Sequence, residues 1–298
     1  MTIEFNCPKC GALIAFDSKH AGKRAKCLSC GQKFVIPAES FQKPKKVEPE
    51  PAPKEDPIPG FYHAVLVDSF KVFVHPANVT ALAFVVAVVC FKFFLAQGAC
   101  CLNHVAYFVI WGWLFGFYLS LISRVAIDDD QLPEIDIGTS ITFLLYILGP
   151  FFVFFVTLFL VEAPFIFGLA LAQDRGITFA NLFSGSTGLH RLLQFFLLGG
   201  LFLFPAAILT TAVGGTFLLL RPDYLLAPLR KAFLPYLTAF ALVVATCILE
   251  TQTTQYTGAE LKVTVAHLAL NLLVQAVAIF AMRAIGLYYR HYGCYFKW

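Results

Sequence analysis

The sequence predicts a mainly α protein: a polytopic helical membrane bundle of about six transmembrane helices, preceded by a small N-terminal β module built around zinc. Three observations carry that prediction. Of 298 residues, 59% are hydrophobic, 33 are Phe and only 13% are charged, whereas soluble domains are roughly half apolar and a quarter charged. The apolar residues gather into stretches long enough to cross a bilayer. Four cysteines, Cys7, Cys10, Cys27 and Cys30, stand apart from those stretches in a basic head. Eleven of the 22 Lys and Arg fall within the first 71 residues, so the net charge of +4 mostly describes the head and its linker.

The head spans residues 1–37. Its cysteines are spaced C-x2-C-x16-C-x2-C. Two residues between cysteines let one tight turn present both sulfurs to one ion, and four thiolates suit a tetrahedral zinc. Gly11 and Gly31 follow the two pairs, where a positive backbone dihedral turns amides toward sulfur. Leu13–Phe16 and Lys33–Ile36 read as strands, and Phe5, Phe16 and Phe34 as the miniature core. So short a module buries too little surface to fold alone, so the one Zn2+ is expected to be structural. A four-thiolate shell leaves no open position for substrate water. The start of the chain lacks the apolar core of a signal peptide, so the head is expected to stay in the cytoplasm.

These residues carry a resemblance. CPKCG, AGKRAKC, CLSCG and the closing KFVIP resemble the small zinc ribbons at the N-termini of many bacterial membrane and signalling proteins, over about residues 4–37. That resemblance implies a fold and a metal but no activity, because such ribbons precede many unrelated domains. Lys19, Lys23, Arg24, Lys26 and Lys33 form a basic face. With few aromatics to stack on bases and no reading helix, the face predicts a protein contact or a purely structural role ahead of nucleic acid or anionic lipid.

Residues 38–60 form a Pro-rich linker of low apolar content, read as an extended, disordered tether. Residues 61–75 read as an amphipathic interfacial helix with Ala64, Asp68, Lys71 and His75 on one face and Phe61, Val65, Leu66, Phe70 and Phe73 largely away from it. The transmembrane domain then covers 76–298, with spans over 77–97, 104–123, 140–161, 190–220, 233–250 and 264–285. The stretches after Ile141 and Leu192 are overlong for one straight span and contain Pro150, Pro164 and Pro205; they are expected to kink or to continue along the interface.

Orientation follows from charge. With the head inside, the inner segments carry Arg124, Arg221, Arg230, Lys231, Arg283, Arg290 and Lys297, while the outer loops carry only Arg175 and Lys262, with Arg191 at a border. This is the positive-inside pattern, and it predicts a multi-pass cytoplasmic (inner) membrane protein with both termini cytoplasmic. The inner loop with DDDQLPEID and the ending AMRAIGLYYRHYG loosely resemble a family of multi-span bacterial proteins of unknown function, over about 60–298.

His267, Asn271 and Gln275 share one face of the last span, joined by Thr264, and form a candidate intramembrane polar face. Thr210 and Thr211 are expected as partners. Lys92 is expected to snorkel outward or to pair with Glu162 or Glu250 near outer ends. Gly112 and Gly116 form a GxxxG for close helix contact. Asp128, Asp129 and Asp130 read as a solvated loop. No HExxH, GxSxG, Walker loop or dinucleotide fingerprint is present, so no enzymatic activity is expected. Two functional classes remain. One is a tethered zinc ribbon acting as a protein-contact or regulatory module, with the lipid bilayer and an unidentified cytoplasmic or membrane protein as partners. The other is a transporter or channel-like bundle with the ribbon as a regulatory appendage.

Overall fold

The structure, a computed structural model, describes residues 2–7, 9–10, 12–36, 56–95, 101–135, 141–253 and 260–296. The linker over 37–55, Gly11, Cys100, Lys297 and Trp298 lie outside the described residues. The chain forms two compact units, Met1–Glu55 and Asp56–Trp298.

The first unit is two hairpins. β1 (Thr2–Asn6) pairs antiparallel with β2 (Leu13–Asp17), and β3 (Arg24–Lys26) with β4 (Lys33–Val35). Each hairpin turn carries one cysteine pair. The core between them is Ile3, Phe5 and Ile36, with Phe16 and Phe34 packed against it. The rings of Phe5 and Phe34 meet edge to face at 5.2 Å, so the three expected phenylalanines do cluster.

The second unit is helical. α1 (Phe61–His63), a π-helical turn (Ala64–Asp68) and α2 (Ser69–Val74) run on as one short rod. Among the described residues, six helices follow that are long and apolar enough to cross a membrane: α3 (Val79–Leu95), α4 (Cys101–Ala126), α5 (Ile141–Ala172), α6 (Gly188–Gly214), α8 (Phe233–Thr253) and α9 (Leu261–Tyr292). A short amphipathic α7 (Pro222–Lys231) sits between α6 and α8, starting at a proline whose missing N–H costs nothing there. The sequence reading did not anticipate α7.

The two overlong stretches resolve differently. α5 is one continuous helix through Pro150 and Pro164 and runs eleven residues past the expected boundary at 161. The second stretch leaves the α-helix at Gly214, where Gly215 takes φ 63° and closes the C-cap, and continues as a 3-10 turn, Phe217–Leu220.

α4 is the central element, packed against α5, α6 and α9. Its residues Leu114, Phe117, Leu121, Ile122 and Val125 are essentially inaccessible. The GxxxG is the seat of the α4–α5 contact: a Cβ on Gly112 would lie 2.8 Å from the Ile147 carbonyl oxygen, and one on Gly116 3.2 Å from the Pro150 ring. Gly286 does the same for α9 on α4, against the Ile122 carbonyl at 2.8 Å. Small residues bring backbones close where lipid offers no hydrophobic drive between helices.

Candidate metal centre and the polar sites of the bundle

The head brings its four predicted cysteines together. Each pair sits in a turn whose first cysteine is fixed by backbone bonds: the Cys7 amide donates to the Ala12 carbonyl (2.9 Å), and the Cys27 amide to Gln32 (2.8 Å). The Gly31 amide donates back to Cys27 at 2.9 Å, and Gly31 has φ 71°, the left-handed conformation its position calls for. The sulfurs of Cys7, Cys10, Cys27 and Cys30 all lie within 4.8 Å of one another. Cys7 to Cys30 is 3.6 Å and Cys10 to Cys27 is 3.7 Å. A tetrahedral ion with metal–sulfur bonds of about 2.3 Å places its sulfurs about 3.8 Å apart. The cluster therefore has the dimensions to hold a metal ion.

The electrostatics agree. Backbone amides of Cys10 and Lys9 pull the Cys7 thiol down to about 6, and the Cys30 amide lowers Cys27. The Ala12 amide also pulls on Cys10, but the Cys30 thiol, burial and the thiols of Cys7 and Cys27 drive it up to about 12. Amides aimed at sulfur favour thiolate, yet four thiolates this close repel one another unless a cation lies among them.

Within the bundle, Asn271 and Gln275 are buried and His267 is half-buried. The Gln275 side chain accepts from the Tyr118 hydroxyl of α4, and the Asn271 amide donates to the His267 carbonyl at 2.9 Å. Thr210 and Thr211 are not their partners. Both hydroxyls bond to the Ala207 carbonyl of their own helix, and Thr211 also meets Thr157 of α5 at 3.4 Å. A threonine hydroxyl finds an acceptor in the preceding turn of its own helix, so it need not seek one across a span.

Lys92 does not snorkel. It is 5% exposed and pairs with Glu250 of α8, its ammonium also 4.5 Å from the centre of the Trp111 ring. Glu162 takes no part in that pair: it is buried in α5, and neither carboxylate oxygen has a hydrogen-bond partner among the described residues.

The third feature lies at the end of the bundle where α9 finishes. A cavity of about 1010 Å³ is lined by residues of the α1–α2 rod, the 128–131 loop and α9. Ala64, Asp68, Lys71 and His75, the polar face read from sequence, all line it. Of the apolar set, Phe61 and Val65 are buried against the bundle while Leu66 and Phe70 are exposed. The three aspartates of the loop are a clasp rather than a solvated run. Arg283, buried to 1% exposure, donates to the Asp130 carboxylate (2.9 Å), the Asp130 carbonyl (3.1 Å) and the Ser69 hydroxyl (3.3 Å). Arg290 pairs with Asp128 and Asp130, and Arg124 with Asp129 at 2.7 Å. Asn78 closes the corner, donating to the Val72 carbonyl at 3.0 Å and accepting from the Leu132 amide at 2.9 Å. The sequence reading missed this clasp. Its signal was present: arginines nine and two residues before the end of the last helix, and acids in a loop on the same side.

Comparison of the chain with protein-family models, curated proteins and solved structures finds no match in any of the three.

Proposed function

We propose that this is a multi-pass protein of the cytoplasmic membrane whose head binds one structural zinc ion and works as a tethered protein-contact module. The observation that carries the reading is the four-sulfur cluster, with edges of 3.6 and 3.7 Å between its closest pairs. Zinc is the ion of choice because thiolate is a favoured ligand for it and a closed tetrahedral set is its structural mode. Contact is the role because the head displays what a partner would grip. Leu28, between the second pair of cysteines, is fully exposed, and Val35 is 56% exposed. Lys19, Lys23, Arg24, Lys26 and Lys33 of the same unit also face solvent. Tethering through the Pro-rich segment would raise the local concentration of such a module beside the membrane. The excess of Arg and Lys at the α9 end supports placing that end in the cytoplasm.

The test is affinity capture from gently solubilised membranes, comparing the native chain with Cys27→Ser/Cys30→Ser and with Leu28→Ser. Zinc content and recovered protein and nucleic acid are read together. The reading expects a protein recovered with the native chain, lost with the cysteine pair, and weakened by Leu28→Ser while zinc stays bound. Identical recovery from all three would overturn it.

A second reading, a transporter or channel-like bundle with the head as appendage, is favoured by one set of observations. The ion pair Lys92–Glu250 and the Tyr118–Gln275 bond cross between spans inside the apolar region, which a simple anchor does not need. Under it, Gln275→Leu alters flux in reconstituted vesicles and the cysteine pair does not.

A further inference from the structure

Glu162 is the one carboxyl in α5, and it sits where a charge is hardest to keep. It lies ten residues before the end of α5 at Ala172, about 15 Å along the axis at 1.5 Å per residue. The side chain is 6% exposed, and both oxygens lack a hydrogen-bond partner among the described residues. Its seat is Gly200 of α6: a Cβ there would lie 2.5 Å from the carboxyl carbon and 2.5 and 2.6 Å from the two oxygens. The missing side chain of Gly200 is the space the carboxyl fills.

Candidate charge partners are few. α5 carries one other titratable group, Tyr146, sixteen residues away. α6 has none between Arg191 and its end at Gly214. α4, packed against both α5 and α6, carries Cys101, His104, Tyr107, Tyr118 and Arg124; Tyr118 is held by Gln275 and Arg124 by Asp129. The lysine that might have served, Lys92, is spent on Glu250. An ionised carboxylate cannot be kept in such a seam without a cation or donors, and the group takes up a proton instead. A metal cation would need several further oxygens, and the seat offers glycine backbone. A protonated carboxyl needs only one acceptor, and the Leu201 carbonyl, one residue beyond Gly200, is left without its helical donor by Pro205.

We propose that Glu162 is a proton-binding site of the spanning bundle, a carboxyl that carries its proton in the α5–α6 seam and exchanges it from there. On binding, a proton joins one carboxylate oxygen as an O–H; on release it returns to water and the seam must admit solvent or a cation. The site is independent of the head and of the contact reading.

Carbodiimide labelling tests it. Dicyclohexylcarbodiimide partitions into apolar regions and reacts with protonated carboxyls. The acid proton passes to a carbodiimide nitrogen, the carboxylate oxygen bonds to the central carbon, and an O-to-N acyl shift leaves a stable N-acylurea. The full chain in detergent micelles, shown folded by size-exclusion chromatography, is labelled at about pH 6 and about pH 9 and its peptides are mapped by mass spectrometry. The proposal expects Glu162 to be labelled several-fold more than the lysine-paired Glu250, with less adduct at the higher pH. It expects Gly200→Ala, which fills the seat, to change the yield at Glu162. Glu162 unlabelled at both pH values in a folded chain, or labelled no more than Glu250, overturns the proposal. So does a yield indifferent to both pH and Gly200→Ala.

Discussion

Arg283 shows how a single side chain ties elements together. Its guanidinium reaches the rod before the first span through Ser69 and the 128–131 loop through Asp130. Arg283→Ala should destabilise the folded chain by about 2–3 kcal/mol, below the usual range for breaking a buried pair because Asp130 is more than half exposed. Asp130→Asn should cost less, since the arginine keeps its bond to the backbone carbonyl. Thermal unfolding in detergent checks both, and equal losses would contradict the geometry. Lys92 and Glu250 make the complementary case. Lys92→Met should be markedly destabilising, while Lys92→Met with Glu250→Gln should recover most of the loss, because two neutral groups cost less in lipid than one orphaned charge. Asp129 carries a pH signature. The Gln131 amide and then the Arg124 guanidinium hold its carboxyl below the usual carboxylate value. Its contribution is therefore fully present above the ordinary aspartate pKa and is lost as pH falls through the lower, folded value. Arg124→Met should shift the acid limb of the unfolding profile to higher pH.

At the scale of elements, close backbone approach decides which spans touch. Gly112→Ala should cost about 1–3 kcal/mol, because the new Cβ runs into Ile147. Gly149→Ala, with nothing within 4 Å of the added Cβ, is the matched control and should be near neutral. Paired melting curves would separate the two. The sequence made the six helices legible because lipid demands long apolar runs, and that demand is written residue by residue. It made the polar face of the α1–α2 rod legible for the same reason. It did not reveal that Glu162 lies inside α5. A charge next to Pro164 reads as a loop, yet a proline only kinks a helix whose other bonds are kept. Nor did it reveal that Gln275 meets Tyr118, since that bond depends on how α9 rolls against α4, which no local pattern records. The arginine clasp failed to register for a related reason: three aspartates in a row look solvated until a helix end from the far side of the sequence arrives beside them.

For the whole molecule, two solvents are at work on two units. The bundle is held by apolar packing and a few buried bonds, whereas the head has a core of only three buried apolar side chains besides its four clustered sulfurs, so the proposed zinc would supply much of its stability. Removing metal should therefore act on one unit alone. A strong chelator should collapse amide-exchange protection over β1–β4 while leaving that of α4 and α9 unchanged. The clustering of the head's four cysteines was legible in the sequence, since two-residue spacing lets one turn present both sulfurs to a common point. No partner was legible, because a contact face has no required residue pattern. The account rests on the metal, and the most direct measurement is zinc content and X-ray absorption on the purified full chain. It predicts one zinc per chain with four sulfur neighbours at about 2.3 Å, abolished in Cys27→Ser/Cys30→Ser. A folded chain with four freely titratable head thiols and no bound metal would contradict it.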